Sequence, residues 1–488
     1  MVLDNLHQSW IENSTSCKDA CEQLQLELNK LVEAIADKKT ISPHSKPWMS
    51  QKISKMIDEL RVCRKRFSKH RSERNAKILK QKREEVSVQL TLSHKNWILK
   101  QSEKIPFVNE KEKWKIINDL TNTSPNFSVQ PIAEKQNDGS VKYLFEDDEI
   151  LNKMEQYHVI KEGLSDINND KDEVEELIER ARNNTIPGIM NNPICAAEVK
   201  LTFNTCTGAS GPDGFHSKLI DQAERLSMEK CCLHIFNRSW YEGNFLASWK
   251  QEQRAIIPKL DKDDFHQCNS YRTVSVTAVL GKRMEKISSR RLIAILDGTG
   301  FDVNQFAYLN NRSATQASVV MVERVQGALN NNEKCGGVFF DFTDAFGSVN
   351  RARLLSKLFF DFGIDGRLFL HIANFLMDRK ARLKIGNLVG AWVDTNVGSS
   401  AGTVLGPVLF IIYTHDVPRV IFPKFADDFN GLAIEKTNAA MIRKLQSIVD
   451  AVWSWAVTNG MELNHKTKVM CFGPDQITLE ILMNCKAL

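Results

Sequence analysis

No apolar run in this sequence approaches the roughly 20 residues that a helix needs to cross a bilayer. A membrane-spanning protein is therefore not expected. The opening stretch, MVLDNLHQSW, lacks the basic region followed by an apolar region that marks a secretory signal. The nucleus or the cytoplasm is the expected location. Cysteine is present but unpatterned. The 11 cysteines are an odd number, and neither Cys17 with Cys21 nor Cys231 with Cys232 is followed at zinc-finger distance by a second Cys or His pair. They read as reduced thiols acting mostly as small buried hydrophobes. Internal repeats and low-complexity tracts are missing too. A net charge of +5 on 488 residues is too small to imply a partner by itself.

Acids are scarce in one place. Between Arg61 and Arg83 stand Arg61, Arg64, Lys65, Arg66, Lys69, Arg71, Arg74, Lys77, Lys80, Lys82 and Arg83, against Glu73 alone. Such local concentration points to a polyanion. Arg64, Lys65, Arg66, Lys69 and Arg71 are candidate contacts to a nucleic-acid backbone, which would be salt-dependent and blind to sequence. A solvated helix face is the alternative, and Arg64-Lys-Arg66 also suits a nuclear-localisation signal.

The length accommodates two or three domains and at least one sizeable core. Residues 1–120 contain few glycines or prolines, and Leu24, Leu28, Leu31 and Ile35 recur at helical spacing. They are expected to be helical, with a long basic helix or helix pair from about Met49 to Lys104. Turn-forming residues mark a linker at 121–146. Beyond it, β-rich runs alternate with helical segments: Gly337–Phe342, Phe422–Asp428 with Phe429–Ile434 about a tight turn, and Val469–Phe472, with helices over Arg351–Phe362 and Asn438–Thr458. That order suggests an α+β sheet with helices on one face.

Two acidic clusters end strand-like apolar runs: Phe339-Phe-Asp-Phe-Thr-Asp-Ala-Phe346 and Phe425-Ala-Asp-Asp428. An aspartate at the end of an apolar strand is costly to bury without a partner. Two such clusters meeting at one sheet edge would repel unless a divalent cation neutralised them. Oxygen-only ligands favour a hard ion, Mg²⁺ or Mn²⁺, and two ions can clamp the attacking and leaving oxygens of a phosphoryl transfer. A lone Asp-Asp pair is more often a solvated turn, so the surrounding sequence decides.

From about Lys200 to Phe472 the chain resembles the reverse transcriptase domain of non-LTR retrotransposons, in the group that includes jockey. The motifs follow in the family's order. They are Gly208-Ala-Ser-Gly-Pro-Asp-Gly214; Trp249-Lys with Ala255-Ile-Ile-Pro-Lys259; Asn269-Ser-Tyr-Arg272 with Val279-Leu-Gly-Lys282 and Glu285-Lys286; and Gln305-Phe with Arg312-Ser313. Then come Asp341–Phe346; Gly402-Thr-Val-Leu-Gly-Pro407 with Leu409-Phe410 and Tyr413; Phe425-Ala-Asp-Asp428; and Trp455, Asn459, Leu463-Asn464, Lys466-Thr-Lys468 and Phe472.

The resemblance implies a right-hand polymerase palm and fingers, an antiparallel palm sheet with helices, preceded by the all-helical basic region. Residues 147–330 would form the fingers and part of the palm, 331–475 the palm with its carboxylates, and 476–488 a short tail. It implies an RNA-directed DNA polymerase that uses an RNA template, a DNA primer and deoxynucleoside triphosphates. Asp341, Asp427 and Asp428 would be catalytic and ligate two Mg²⁺ or Mn²⁺ ions. Lys259 and Arg272 would hold the triphosphate, where paired cations are physically sensible. Phe346 would crowd a ribose 2′-OH and so select deoxynucleotides, and Gly402 would allow close approach of nucleotide or template. Asp344 is not expected to be a ligand.

The chain departs from the family's pattern at Ala401, where Gln is usual, at Gly347, where Asp is frequent, and at Thr273, where Pro is usual. It also shows no segment resembling the family's endonuclease or thumb. The alternative reading is a catalytically impaired relic that only binds nucleic acid. A weaker third, an RNA-dependent RNA polymerase, is disfavoured by Phe346.

Overall fold

A computed structural model describes residues 2–35, 50–70, 72–102, 132–135, 141–144, 146–160, 171–203, 210–213, 217–222, 225–259, 264–299, 301–385, 388–399, 402–473, 481–483 and 486–487. The chain divides into two compact units, Leu28–Ser128 and a larger one made of Met1–Glu27 with Val129–Leu488. No described helix is long and apolar enough to cross a membrane.

Among the described residues of the first 120, every element is a helix: Val2–Glu12, Cys17–Ile35, Gln51–Lys69 and Glu73–Ser102. In the smaller unit Gln51–Lys69 starts at Ser50, whose side chain accepts from Ile53 N–H, and it ends at His70. The chain then turns back. Lys82 meets Glu59 at 2.8 Å, and Ile53, Leu79 and Val86 are buried, so the two helices form an antiparallel hairpin. Its charges segregate. Asp58, Glu59 and Glu85 sit away from the tip, where they pair with Arg61 and Lys82. Arg64, Lys65, Arg66, Arg74, Lys77 and Lys80 are exposed near the tip. The Lys69 side chain and Arg71 lie outside the described residues.

In the larger unit the described strands in chain order are β1 (Ile132–Lys135), β2 (Val141–Leu144), β3 (Gln251–Pro258), β4 (Tyr271–Thr277), β5 (Lys334–Phe340), β6 (Arg379–Ile385), β7 (Leu388–Val389), β8 (Val393–Thr395), β9 (Ile421–Phe425), β10 (Asp428–Glu435), β11 (Lys468–Phe472), β12 (Leu482–Met483) and β13 (Lys486–Ala487). Helix and sheet are mixed, as the α+β pattern predicts. A central four-stranded sheet runs β11-β5-β10-β9, antiparallel throughout. Helix Asn438–Thr458, capped by the Thr437 side chain, packs on it at very short range. A Cβ at Gly431 would come within 2.7 Å of Ile448, and one at Gly336 within 2.8 Å of Leu445, so glycine sets the closeness of the layers.

A second sheet, β4-β3-β6-β7, pairs β3 with β4 antiparallel and with β6 parallel, and β8 also pairs with β6. Its base is held by a buried ion-pair group, in which Glu252 pairs with Arg254 at 2.6 Å and with Arg379 at 3.5 Å. The first residues of the chain pack instead on helix Arg225–Glu242. Trp10, Cys17 and Leu24 are fully buried, Ser227 Oγ donates to Asp4 at 2.7 Å, and Cys17 Sγ donates to Ile235 O. Burial pushes the thiols of Cys21, Cys231 and Cys232 up to about 12. They behave as buried hydrophobes, not nucleophiles.

Candidate active site

β5 is almost continuously buried and delivers Asp341 directly after Phe340. Phe340 pairs with Phe429, and the same register carries Asp341 to a position facing Asp428. A two-residue loop, Ala426-Asp427, joins β9 to β10, with Phe425 paired to Asp428 and Ala426 at φ 56°. Asp341, Asp427 and Asp428 therefore share one edge of the central sheet.

The backbone on both sides of this edge is clamped from afar. Asp341 N–H donates to Thr467 Oγ1 at 3.2 Å, and Asn464 N–H donates to Asp341 O at 2.7 Å. Gln305, buried to 1% exposure, accepts on one oxygen from both Ala307 N–H (2.9 Å) and Ala426 N–H (3.2 Å). It ties the Asp427 loop to the segment 304–308, which already exchanges backbone hydrogen bonds with Lys424.

The three carboxylates repel. Burial, and then the charges of Asp428 and Asp341, push Asp427 above the usual carboxylate range. Burial and the Asp341 charge do the same to Asp428. Facing cross-strand side chains lie about 5 Å apart. Two full charges at that spacing repel by about 3 kcal/mol at an effective dielectric of 20, and by nearer 1 kcal/mol where water reaches the edge. The charges acting on Asp427 are other acids, so the donor set suits a hard divalent cation. Among the described residues, however, no group of three or more His, Cys, Asp or Glu side chains is drawn together as a cage. The carboxylates share an edge without closing on a common point.

Asp344 is exposed at φ 48°, with its side chain against Gly347. Phe346 stacks on the buried Phe410 with centroids 4.4 Å apart, and its carbonyl accepts from Ser399 N–H at 2.9 Å. The close approach made by Gly402 is to protein backbone. At φ 104°, a Cβ there would come within 2.5 Å of Ser275 O. Ala401 lies outside the described residues. Lys259 and Arg272 project from the same face of the β3–β4 hairpin, because Ile257 pairs with Arg272 and Lys259 lies two residues on. No ion pair joins either to a described residue. Gly402 thus rests three residues along the strand that carries Arg272, while no described hydrogen bond or ion pair links the two cations to the acidic edge.

The roles of three residues escaped sequence reasoning. Tyr308, 43% exposed and at φ 60°, lies beside the acids: burial, and then the Asp427 charge, push its phenol up. No sequence signal marked it. Glu285 and Gln305 stood inside recognisable motifs, but their long-range partners could not be read from them.

An antiparallel sheet with acids gathered at one edge, beside a second sheet bearing cations, has the form of a nucleotidyl-transferring polymerase domain. Comparison with known proteins narrows the class. Residues 257–482 match the family Reverse transcriptase (RNA-dependent DNA polymerase), which implies a palm-and-fingers fold. The chain is similar to the RNA-directed DNA polymerase from mobile element jockey of Drosophila melanogaster, at 28% identity over 47% of this chain and 26% of that protein. It is also similar to the jockey polymerase of Drosophila funebris, at 26% identity over 56% of this chain and 31% of that protein. The probable RNA-directed DNA polymerase from transposon X-element of Drosophila melanogaster matches at 24% identity over 40% of this chain and 22% of that protein. The resemblance to non-LTR retrotransposon reverse transcriptases is thus supported by all three. The chain spans between about a fifth and a third of the length of these curated relatives.

Proposed function

We propose that this chain is the polymerase portion of an RNA-directed DNA polymerase of a non-LTR mobile element. The gathering of Asp341, Asp427 and Asp428 at one sheet edge, inside the stretch that matches reverse transcriptases, carries the reading. The reaction joins the primer 3′-oxygen to the α-phosphorus of a deoxynucleoside triphosphate. The bond from that phosphorus to the bridging oxygen breaks, and pyrophosphate leaves. The three aspartates would hold two Mg²⁺ or Mn²⁺ ions, which supply charge neutralisation and a more acidic 3′-hydroxyl. The backbone clamps on Asp341 and on Ala426, beside Asp427, would limit how far these two carboxylates must move when the ions and substrate arrive.

Lys259 and Arg272, on one face of the hairpin, would take the triphosphate charge. Phe346, backed by Phe410, would meet the 2′ position of the incoming sugar and exclude a hydroxyl there. The exposed cations at the tip of the smaller unit, Arg64, Lys65 and Arg66 among them, would bind template or target through phosphates. Lys69 and Arg71 belong to the same run. Action in the nucleus or cytoplasm, where RNA template is available, fits these partners.

Primer extension on an RNA template with Mg²⁺ and deoxynucleotides tests the reading, comparing wild type with Asp427→Ala. Extension by wild type and none by the variant is expected. A folded wild type that binds RNA but never extends a primer would overturn it in favour of a binding protein.

A further inference from the structure

Glu285, on helix Val279–Thr299, is fully buried. A buried carboxylate is retained at a cost of several kcal/mol unless its partners are well placed. Its Oε2 accepts from Val404 N–H at 2.6 Å and from Leu405 N–H at 3.1 Å. These donors immediately precede helix Gly406–Tyr413, where backbone N–H groups lack partners and an anion is favoured. Burial holds the carboxyl above its usual range, with Arg379 and the two N–H groups opposing.

The turn held by Glu285 is connected to Phe346 in two ways. Thr403 Oγ1 donates to Ser399 O at 3.3 Å and accepts from Gly406 N–H at 3.1 Å, and Ser399 N–H in turn donates to Phe346 O. The helix that begins at Gly406 carries Phe410, the ring stacked on Phe346.

We propose that Glu285 is a positioning residue for sugar selection: it fixes the turn 403–405 so that Phe410 and Ser399 hold Phe346 against the 2′ position of the incoming nucleotide. The proposal rests on the polymerase reading above. A charged acceptor suits the task because its hydrogen bonds are shorter and stronger than those of a neutral one. A purely stabilising glutamate would affect deoxynucleotides and ribonucleotides alike. A positioning glutamate affects their ratio.

The test measures kcat/KM for one deoxynucleotide and for its ribonucleotide counterpart, using the full chain and its variants in single-nucleotide extension. Glu285→Gln keeps the size and removes the charge. It should lower the preference for the deoxynucleotide by about tenfold, the lower range for loss of a charge-assisted hydrogen bond. Thr403→Val cuts the same connection without touching a charge and should shift the ratio in the same direction. It decides the matter if Glu285→Gln does not fold. Phe346→Val is the reference, expected to lose the most preference. Loss of preference in Phe346→Val with none in folded Glu285→Gln or Thr403→Val would overturn the role of Glu285 alone. Unchanged preference in Phe346→Val as well, or no extension by wild type, would overturn the underlying reading with it.

Discussion

Replacing Gln305 with alanine removes the oxygen that accepts from both Ala307 N–H and Ala426 N–H. The site is 1% exposed, so both donors lose their partner at once. Each orphaned buried N–H costs about 1–3 kcal/mol. A water entering the space vacated by the side chain would recover part of this, which leaves an expected loss of about 2–3 kcal/mol in urea-induced unfolding. If the strain falls on the Asp427 loop instead of the whole unit, it appears in catalysis, where 1.4–2.8 kcal/mol corresponds to about 10- to 100-fold in kcat. Denaturation and primer extension on the same preparations separate the two. Gln305→Glu sharpens the test. It keeps an acceptor for both donors but adds a fourth negative charge near Asp341, Asp427 and Asp428, so it should fold better than the alanine variant and extend no better. Stability within about 0.5 kcal/mol of wild type together with wild-type kcat in Gln305→Ala would refute the idea that this side chain sets the loop.

Three further outcomes are expected. With Arg64, Lys65, Arg66, Arg74, Lys77 and Lys80 all on phosphates, single-stranded RNA affinity should fall about 300-fold between 50 and 200 mM salt, from a slope of roughly −0.7 per contact. Replacing three of them by glutamine should halve that slope in a salt titration by fluorescence anisotropy, and an unchanged slope would show that the hairpin tip does not bind. Mg²⁺ at ten times its dissociation constant should stabilise the folded chain by about 1.4 kcal/mol, seen as a rise in melting temperature that Asp427→Asn reduces; an equal rise in both would place the ion elsewhere. Arg351→Met should destabilise by about 2–4 kcal/mol, because Arg351 donates to the carbonyls of Thr395, Val397 and Gly398 from a buried position and those acceptors would be stranded. A melting curve matching wild type would show that water takes its place.

Local pattern carried the sequence reading a long way. Asn438–Thr458 is a helix with the expected ends, the apolar runs near Asp341, Asp427 and Phe472 are strands, and the anticipated basic helix or helix pair is a pair broken at His70. These are short-range signals, set by periodicity and turn chemistry. Pairing was not legible in the same way. The parallel partnership of β3 with β6 joins residues about 130 positions apart, and Gln305 meets Ala426 across 121. Nothing near either end of such a contact advertises the other. Asp341 and Asp427 could be placed together only through the family's motif order, whereas Tyr308 depends on a left-handed backbone that tyrosine rarely adopts and had no motif to announce it. The contact of Gly402 with Ser275 is similar: the sequence marked a glycine needed for close approach, but only the structure shows what approaches.

The clamp on Asp341 also has a consequence for the order of synthesis. Its two anchors, Asn464 and Thr467, are made more than 120 residues after it, and β11, which flanks β5, follows immediately. While the ribosome is still adding the stretch before Asn464, β5 lacks its outer neighbour and the backbone at Asp341 lacks both restraints. The nascent chain can therefore build the hairpin that bears Asp427 and Asp428 first, and acquire a correctly held Asp341 only when β11 docks. Competence for chemistry would then wait on the docking of a single strand, β11.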